Sequence, residues 1–207
     1  MSGDRFFWLL KENFTVASVA GLLRVNSVHE QASISFLTQQ IWKEILPPRI
    51  QFFFWLLARD RISYNMTLVR RGILDSEHSF CTFCLDEESS LHIVLHCNFA
   101  WSFWSLILAN CSVIWVTPYS LKDLFVHWTS LSSGRHCNLW KLIWFFGVWH
   151  LWKNQNNRVF NDVSATVHSL VFLSIWKAVD FYRARNQIFA HSGNDVFRCI
   201  DFFCNNL

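Results

Sequence analysis

The sequence has no adjacent aspartate pair, no glycine-rich phosphate loop among its six glycines and no nucleophile elbow. Two-metal phosphoryl transfer, P-loop nucleotide chemistry and α/β-hydrolase chemistry each require one of these constellations. The chain is therefore expected not to be an enzyme and to have no small-molecule substrate. No internal repeat is visible. The start, Met1-Ser-Gly-Asp-Arg5, lacks the charged-then-apolar layout of a secretory signal, and seven is an odd number of cysteines. A disulfide framework is not expected, and an intracellular, reducing compartment is, with nucleus and cytoplasm equally open. Long lipid-like runs are missing too. The most apolar segment, residues 139–152, contains Lys141 and His150 and falls short of the roughly 20 residues a spanning helix needs, so it reads as a buried helix and not as a membrane segment.

Charge is sparse, at 16% of residues, whereas 52% are hydrophobic, including 21 Phe and 12 Trp. That composition excludes disorder and leaves more aromatic surface than a chain of this length readily covers. The net charge of +3 is unevenly placed. Lys43, Arg49, Arg59, Arg61, Arg70 and Arg71 face only Glu44 and Asp60 in their stretch, which makes it a candidate phosphate-attracting patch or a solvated helical face.

The expected fold is mainly α. Two short β-prone runs, Phe6-Phe7-Trp8 and Phe14-Thr15-Val16, flank a polar turn and predict an N-terminal hairpin leading into a helix near 17–25. A loop follows and becomes helical near Ser35. Pro47-Pro48 stops that helix and starts the next, over 49–60, and Ser63 and Gly72 bracket another over 64–71. Asn98 is placed to cap a helix running to about 109, Pro118 and Ser120 introduce one near 121–129, and longer helices are expected over 139–160 and 165–188. The corresponding units are a domain over 4–110, a linker with one short helix over 111–138, a Trp-rich helical hairpin over 139–188 and a weakly constrained tail over 189–207. Trp140, Trp144, Trp149 and Trp152 recur at helical spacing and read as core, not as stacking platforms for bases.

The strongest chemical signal is Cys81-x-x-Cys84, then His92, then Cys97. Two thiolates separated by two residues reach one ion from a single tight turn, and an imidazole and a third thiolate complete a tetrahedron of the kind zinc prefers. Four protein ligands leave no open position, so the ion's role is structural. His96 competes with Cys97 for the fourth place, because His92 and His96 share a face if residues 91–96 form an α-helix. The acidic run Asp86-Glu87-Glu88 lies inside this loop and is expected to face solvent. Cys111, Cys137, Cys199 and Cys204 lack ligand spacing and read as buried free thiols.

The ordered set of Ile41-Trp42-Lys43, Pro47-Pro48-Arg49-Ile50, Phe53 to Leu57, Arg61, Arg70-Arg71-Gly72-Ile73, the Cys/His motif and Phe99-Ala100 through Trp104 resembles the zinc-binding domain that follows the reverse transcriptase in plant non-LTR retrotransposons of the LINE type. Trp149-x-x-Trp152-Lys153 with Asn156 and Phe160 is similar to the tryptophan-rich helix that leads toward an RNase H-like domain in those polyproteins. The resemblance implies zinc on Cys81, Cys84, His92 and Cys97, and an RNA- or DNA-binding accessory role through Arg49, Arg59, Arg61, Arg70 and Arg71. A protein-docking module that meets a polymerase or another chain through exposed aromatic surface, or an unselected relic, are the alternatives. Two departures stand out: Gln155 where an arginine is usual, and Ser63 where a threonine is common.

Overall fold

The computed structural model describes residues 35–132 and 134–200, and the hairpin expected near the N-terminus lies outside them. The described part is mainly helical. Its helices are α1 (35–43), α2 (Pro48–Leu57), α3 (Asn65–Arg70), α4 (Asn98–Asn110), α5 (Leu121–Ser130), α6 (Cys137–Asn161), α7 (Val167–Arg183) and α8 (Gly193–Arg198). A 3-10 turn spans Ser76–His78 and a π-helical turn spans His92–His96. Among the described residues, β pairing is limited to a single antiparallel bridge between Phe80 and Glu87.

Local chemistry accounts for most of these boundaries. Pro48 opens α2, where its missing N–H costs nothing. The α3 helix ends in a Schellman motif: Gly72 takes φ +68°, the Gly72 N–H donates to Val69 O and the Ile73 N–H donates to Leu68 O. Tyr64, not Ser63, occupies the N-cap of α3, and the Thr67 hydroxyl accepts the Tyr64 N–H at 2.9 Å. Ser120 and Thr166 cap α5 and α7 by accepting the N–H of Asp123 and Ser169. The tail is more ordered than expected up to residue 200. Ser192 and Asp195 form a reciprocal capping box that starts α8, and Val196 and Phe189 are buried against the core.

The long α6 helix, about 37 Å at 1.5 Å per residue, is the axis of the molecule. It packs against α7, α5, α2 and the π-turn, while α4 and α8 pack on α7. Apolar residues spread around α6 because it is covered on several sides, with Leu139, Trp140, Ile143, Trp144 and Val148 all essentially inaccessible. Two of its tryptophans, Trp140 and Trp152, also find hydrogen-bond acceptors, whereas the buried Trp144 indole N–H has none. Trp128 of α5 and Trp140 stack at 4.2 Å with planes 7° apart, and each indole N–H donates to the other's carbonyl at 2.8 Å. At Gly147 a Cβ would come within 3.0 Å of the Trp104 ring and 3.1 Å of Phe103, so this position lets α4 approach α6 closely. One continuous apolar core runs from Leu37 to Ile200 and takes in both the Cys/His segment and the Trp-rich helices. No helix among the described residues is long and apolar enough to cross a membrane.

Cys204 lies outside the described residues, and the other three cysteines outside the motif differ from expectation. Cys111 is disulfide-bonded, Cys137 is half-buried and Cys199 is exposed. Helix packing buries side chains by position on a face, and neither Cys137 at the start of α6 nor Cys199 after α8 falls on a core-facing one.

Candidate metal centre

Residues Phe80 to Glu87 form a knuckle. The Leu85 N–H donates to Cys81 O at 2.9 Å, the Cys81 N–H donates to Asp86 O at 2.8 Å, and the Phe80–Glu87 bridge closes its base. Leu85 adopts φ +65°, a left-handed conformation that a branched side chain takes at some cost, and this reversal lets the two cysteines face the same way. The Phe83 N–H points to Cys81 Sγ at 3.5 Å. Across from the knuckle, the Ser89 hydroxyl accepts the His92 N–H at 3.0 Å and starts the turn that carries the imidazole.

That turn resolves the choice between His96 and Cys97. The Cys97 N–H donates to His92 O at 2.8 Å, an i to i+5 bond characteristic of a π-turn. Widening the turn brings residues five apart onto one face, so Cys97 lies beside His92 while His96 is rotated outward. His96 is exposed, and its Nε2 lies 3.1 Å from Pro118 O. Cys97 takes the N-cap of α4, the place expected for Asn98, and its sulfur sits at the positive end of a helix of 13 residues.

The ligand atoms of Cys81, Cys84, His92 and Cys97 all lie within 4.8 Å of one another. Sulfurs at about 2.3 Å from a tetrahedral ion stand about 3.8 Å apart. The Cys81–Cys97 and Cys84–Cys97 sulfur separations are both 3.8 Å. Cys84 Sγ lies 3.1 Å from His92 Nε2, shorter than the roughly 3.5 Å of a mixed sulfur–nitrogen edge. The donor set is therefore suited to zinc in both chemistry and size. Cys81, His92 and Cys97 are buried and Cys84 is half-buried, and Phe83 and Phe99, with ring centres 4.6 Å apart, line a small cavity together with Cys81 and Cys97.

Protonation points the same way. The hydrogen bond with Cys97, followed by burial, pushes the Cys81 thiol up to about 12, and the same contact from Cys81 holds Cys97 down. Burial raises Cys84 as well. The protein alone thus keeps a proton among its sulfurs, and full deprotonation calls for a dication, whose uptake releases protons.

The acidic run divides. Asp86 and Glu87 are exposed as expected, but Glu88 is only 2% exposed, which corrects the solvent-facing reading. Glu88 Oε1 accepts the Asn65 N–H at 2.6 Å and Gln155 Nε2 at 2.8 Å, and Gln155 Nε2 also donates to Asn65 Oδ1 at 3.1 Å. This network joins the knuckle, the start of α3 and the middle of α6. Its carboxyl is raised by burial, against the downward pull of the Asn65 and Gln155 donors. No motif announces it, because the three residues meet only when α6 docks.

Arg49 and Arg59 stand at opposite ends of α2. Arg49 opens α2 and lines a cavity with Lys153 and Lys177, whereas Arg59 lies past the other end of that helix, its guanidinium 4.3 Å from the centre of the Trp55 ring. The two are ten positions apart along the chain, about 15 Å at the helical rise. Arg70 approaches Tyr64, whose hydroxyl donates to Asp60. Lys153 and Lys177 were not legible as partners of Arg49, since they come from two different helices far along the chain.

A Cys3His cluster held by a knuckle and a π-turn on a helical scaffold defines a candidate zinc-binding module. Residues 14–104, a little under half of the chain, match the family model described as zinc-binding in reverse transcriptase. The chain is also similar to an Arabidopsis thaliana protein provisionally named a ribonuclease H protein, at 26% identity over 194 residues. The match covers 92% of this chain and 30% of that relative, so the chain spans under a third of its length. No solved structure matches the chain significantly.

Proposed function

We propose that this protein is a non-catalytic structural-zinc module of retrotransposon origin that contacts RNA or DNA. The observation that carries the zinc assignment is the convergence of four donor atoms within 4.8 Å, at edges suited to a tetrahedral ion. Cys81, Cys84, His92 and Cys97 would hold the ion, and a shell filled by four protein ligands has no place for a reactive water. Zinc would supply a staple between the knuckle and the π-turn. Three thiolate ligands require Cys81, Cys84 and Cys97 to stay reduced, and all three are free, whereas Cys111 is disulfide-bonded. The family match supports a place beside a polymerase, and the basic residues of α2 and α6 supply the charge that a phosphate backbone needs.

Elemental analysis of the purified protein tests the zinc assignment. One zinc per chain is expected, lost on substitution of Cys81, Cys84, His92 or Cys97 by Ser or Ala and retained in His96→Ala. Zinc retained in Cys97→Ser would overturn the ligand set. Binding to a labelled oligonucleotide tests the second part. Affinity should fall steeply with salt, whereas apolar docking onto a protein partner would barely respond.

A further inference from the structure

Between the start of α2, the middle of α6, the loop over 163–165 and the first turns of α7 lies a cavity of about 420 Å³. Arg49, Lys153 and Lys177 line it, and no carboxylate does. Among the described residues the ion pairs are Lys141–Glu44 and Arg158–Asp162, so none of these three cations is paired with an acid. Lys177 Nζ rests over the Trp176 ring at 4.6 Å, a contact that leaves its charge without a counter-ion. Like charges converging on one concavity repel each other unless an anion joins them.

A second observation comes from the cavity wall. Asn154 is 3% exposed, and its Oδ1 accepts the Ala165 N–H at 2.7 Å, which fixes the orientation of the amide. Its Nδ2 is buried and has no partner within the protein. Buried amide donors are nearly always satisfied, and this one belongs to a residue lining a cavity rimmed by cations. A phosphate oxygen offers the acceptor that Asn154 lacks and the negative charge that Arg49, Lys153 and Lys177 lack.

We propose that this cavity seats a backbone phosphate of a bound nucleic acid, with Arg49, Lys153 and Lys177 as its charge partners and Asn154 Nδ2 as the donor at its wall. The proposal rests on the nucleic-acid reading above and moves its centre from the arginines around α3 to the junction of α2, α6 and α7.

The test is fluorescence anisotropy of a short labelled single-stranded oligonucleotide on the zinc-loaded full chain, with inorganic phosphate as competitor. Lys153→Gln, Lys177→Gln and Arg49→Gln should each weaken binding and make the plot of log affinity against log salt shallower by about 0.7 per lost contact. Asn154→Asp keeps the acceptor for Ala165 and replaces the donor with a negative charge, so it should weaken binding more than any single cation variant. Circular dichroism confirms that each variant is folded; the three cation variants carry the test if Asn154→Asp is not. Wild-type affinity in all three, with loss confined to Arg59→Gln, Arg61→Gln, Arg70→Gln and Arg71→Gln, would overturn the cavity and keep the nucleic-acid reading. A wild type that binds neither the oligonucleotide nor inorganic phosphate would overturn both. Inorganic phosphate binding that is lost in Lys153→Gln, without oligonucleotide binding, would overturn the nucleic-acid source.

Discussion

The knuckle and the tryptophan helices of this molecule are held in opposite ways. Around Cys81 the chain reverses within a few residues, Phe80 and Leu85 are largely exposed, and one left-handed residue closes the turn. Little apolar area is gained there, so order depends on four donors sharing one ion. Around Trp140 the reverse holds: Trp104, Trp128, Trp140 and Trp144 are fully buried, and order comes from contact area and reciprocal hydrogen bonds. The knuckle is therefore expected to depend on the metal for its order, and the tryptophan helices are not.

Metal removal is the largest way to break this comparison. Structural zinc sites contribute roughly 10 to 16 kcal/mol of apparent binding energy, comparable to the whole stability of a domain. Chelation, or Cys81→Ser, should abolish amide protection across residues 80–97 in hydrogen exchange while α6 and α7 keep theirs. Equal loss of protection in both regions would show that the ion supports the whole core. The complementary substitution is Trp140→Ala. Removing a buried indole of this size costs about 3 to 5 kcal/mol, and it also removes the indole N–H that donates to Trp128 O. The melting temperature should fall by many degrees while zinc stoichiometry stays at one, and a zinc-free Trp140→Ala protein would contradict the separation of the two regions.

The two regions also differed in how legible they were. The ligands could be read from spacing, because a Cys-x-x-Cys turn and a nearby His and Cys are local. What spacing left open was Cys97 against His96, since the answer depends on a π-turn that helical periodicity does not announce. Helix positions followed Pro47-Pro48, Gly72, Ser120 and the apolar pattern, and the tryptophans of α6 were read as core at their helical spacing. Long-range polar pairings were invisible. Glu88 reads as one more member of an acidic run until Asn65 and Gln155 arrive from distant parts of the chain. The same blindness hid Lys153 and Lys177 as neighbours of Arg49.

A titration sharpens the comparison from the side of the apolar core. His150 is buried, its Nδ1 lies 3.0 Å from Ser174 Oγ, and that hydroxyl donates its own proton to Leu170 O, so Nδ1 carries the ring proton. Burial first, then Lys153, Lys177 and Arg49, lower its pKa from 6.5 to about 4. The folded pKa lies below the unfolded one, so the unfolded chain binds the proton more readily. Stability is complete above about pH 6.5 and is lost as the pH falls toward about 4, by about 3 kcal/mol in all. His150→Asn keeps a donor for Ser174 and cannot titrate. Its stability should therefore change less over that range than the wild type's in denaturant melts, and parallel curves would remove His150 as the cause.

The smallest effect tests the seam where the two regions meet. Gln155, on α6, is the residue that reaches across to the knuckle, donating to Glu88 Oε1 and Asn65 Oδ1. Glu88 Oε2 and Gln155 Oε1 are both buried without a donor, so the seam is under-satisfied as it stands. Gln155→Leu would strip one donor from a buried carboxylate and cost about 1 to 3 kcal/mol. Gln155→Arg, the residue that the family resemblance leads one to expect there, supplies a cation and further donors to the same carboxylate. Coulombic attraction then works against the desolvation that burial imposes on Glu88. Thermal melts of the zinc-loaded variants should place Gln155→Arg above Gln155→Leu by at least about 1 kcal/mol. If the two melt alike, the seam is held by apolar packing of α6 on the knuckle, and the Glu88 network contributes nothing to joining the metal-dependent half to the metal-independent one.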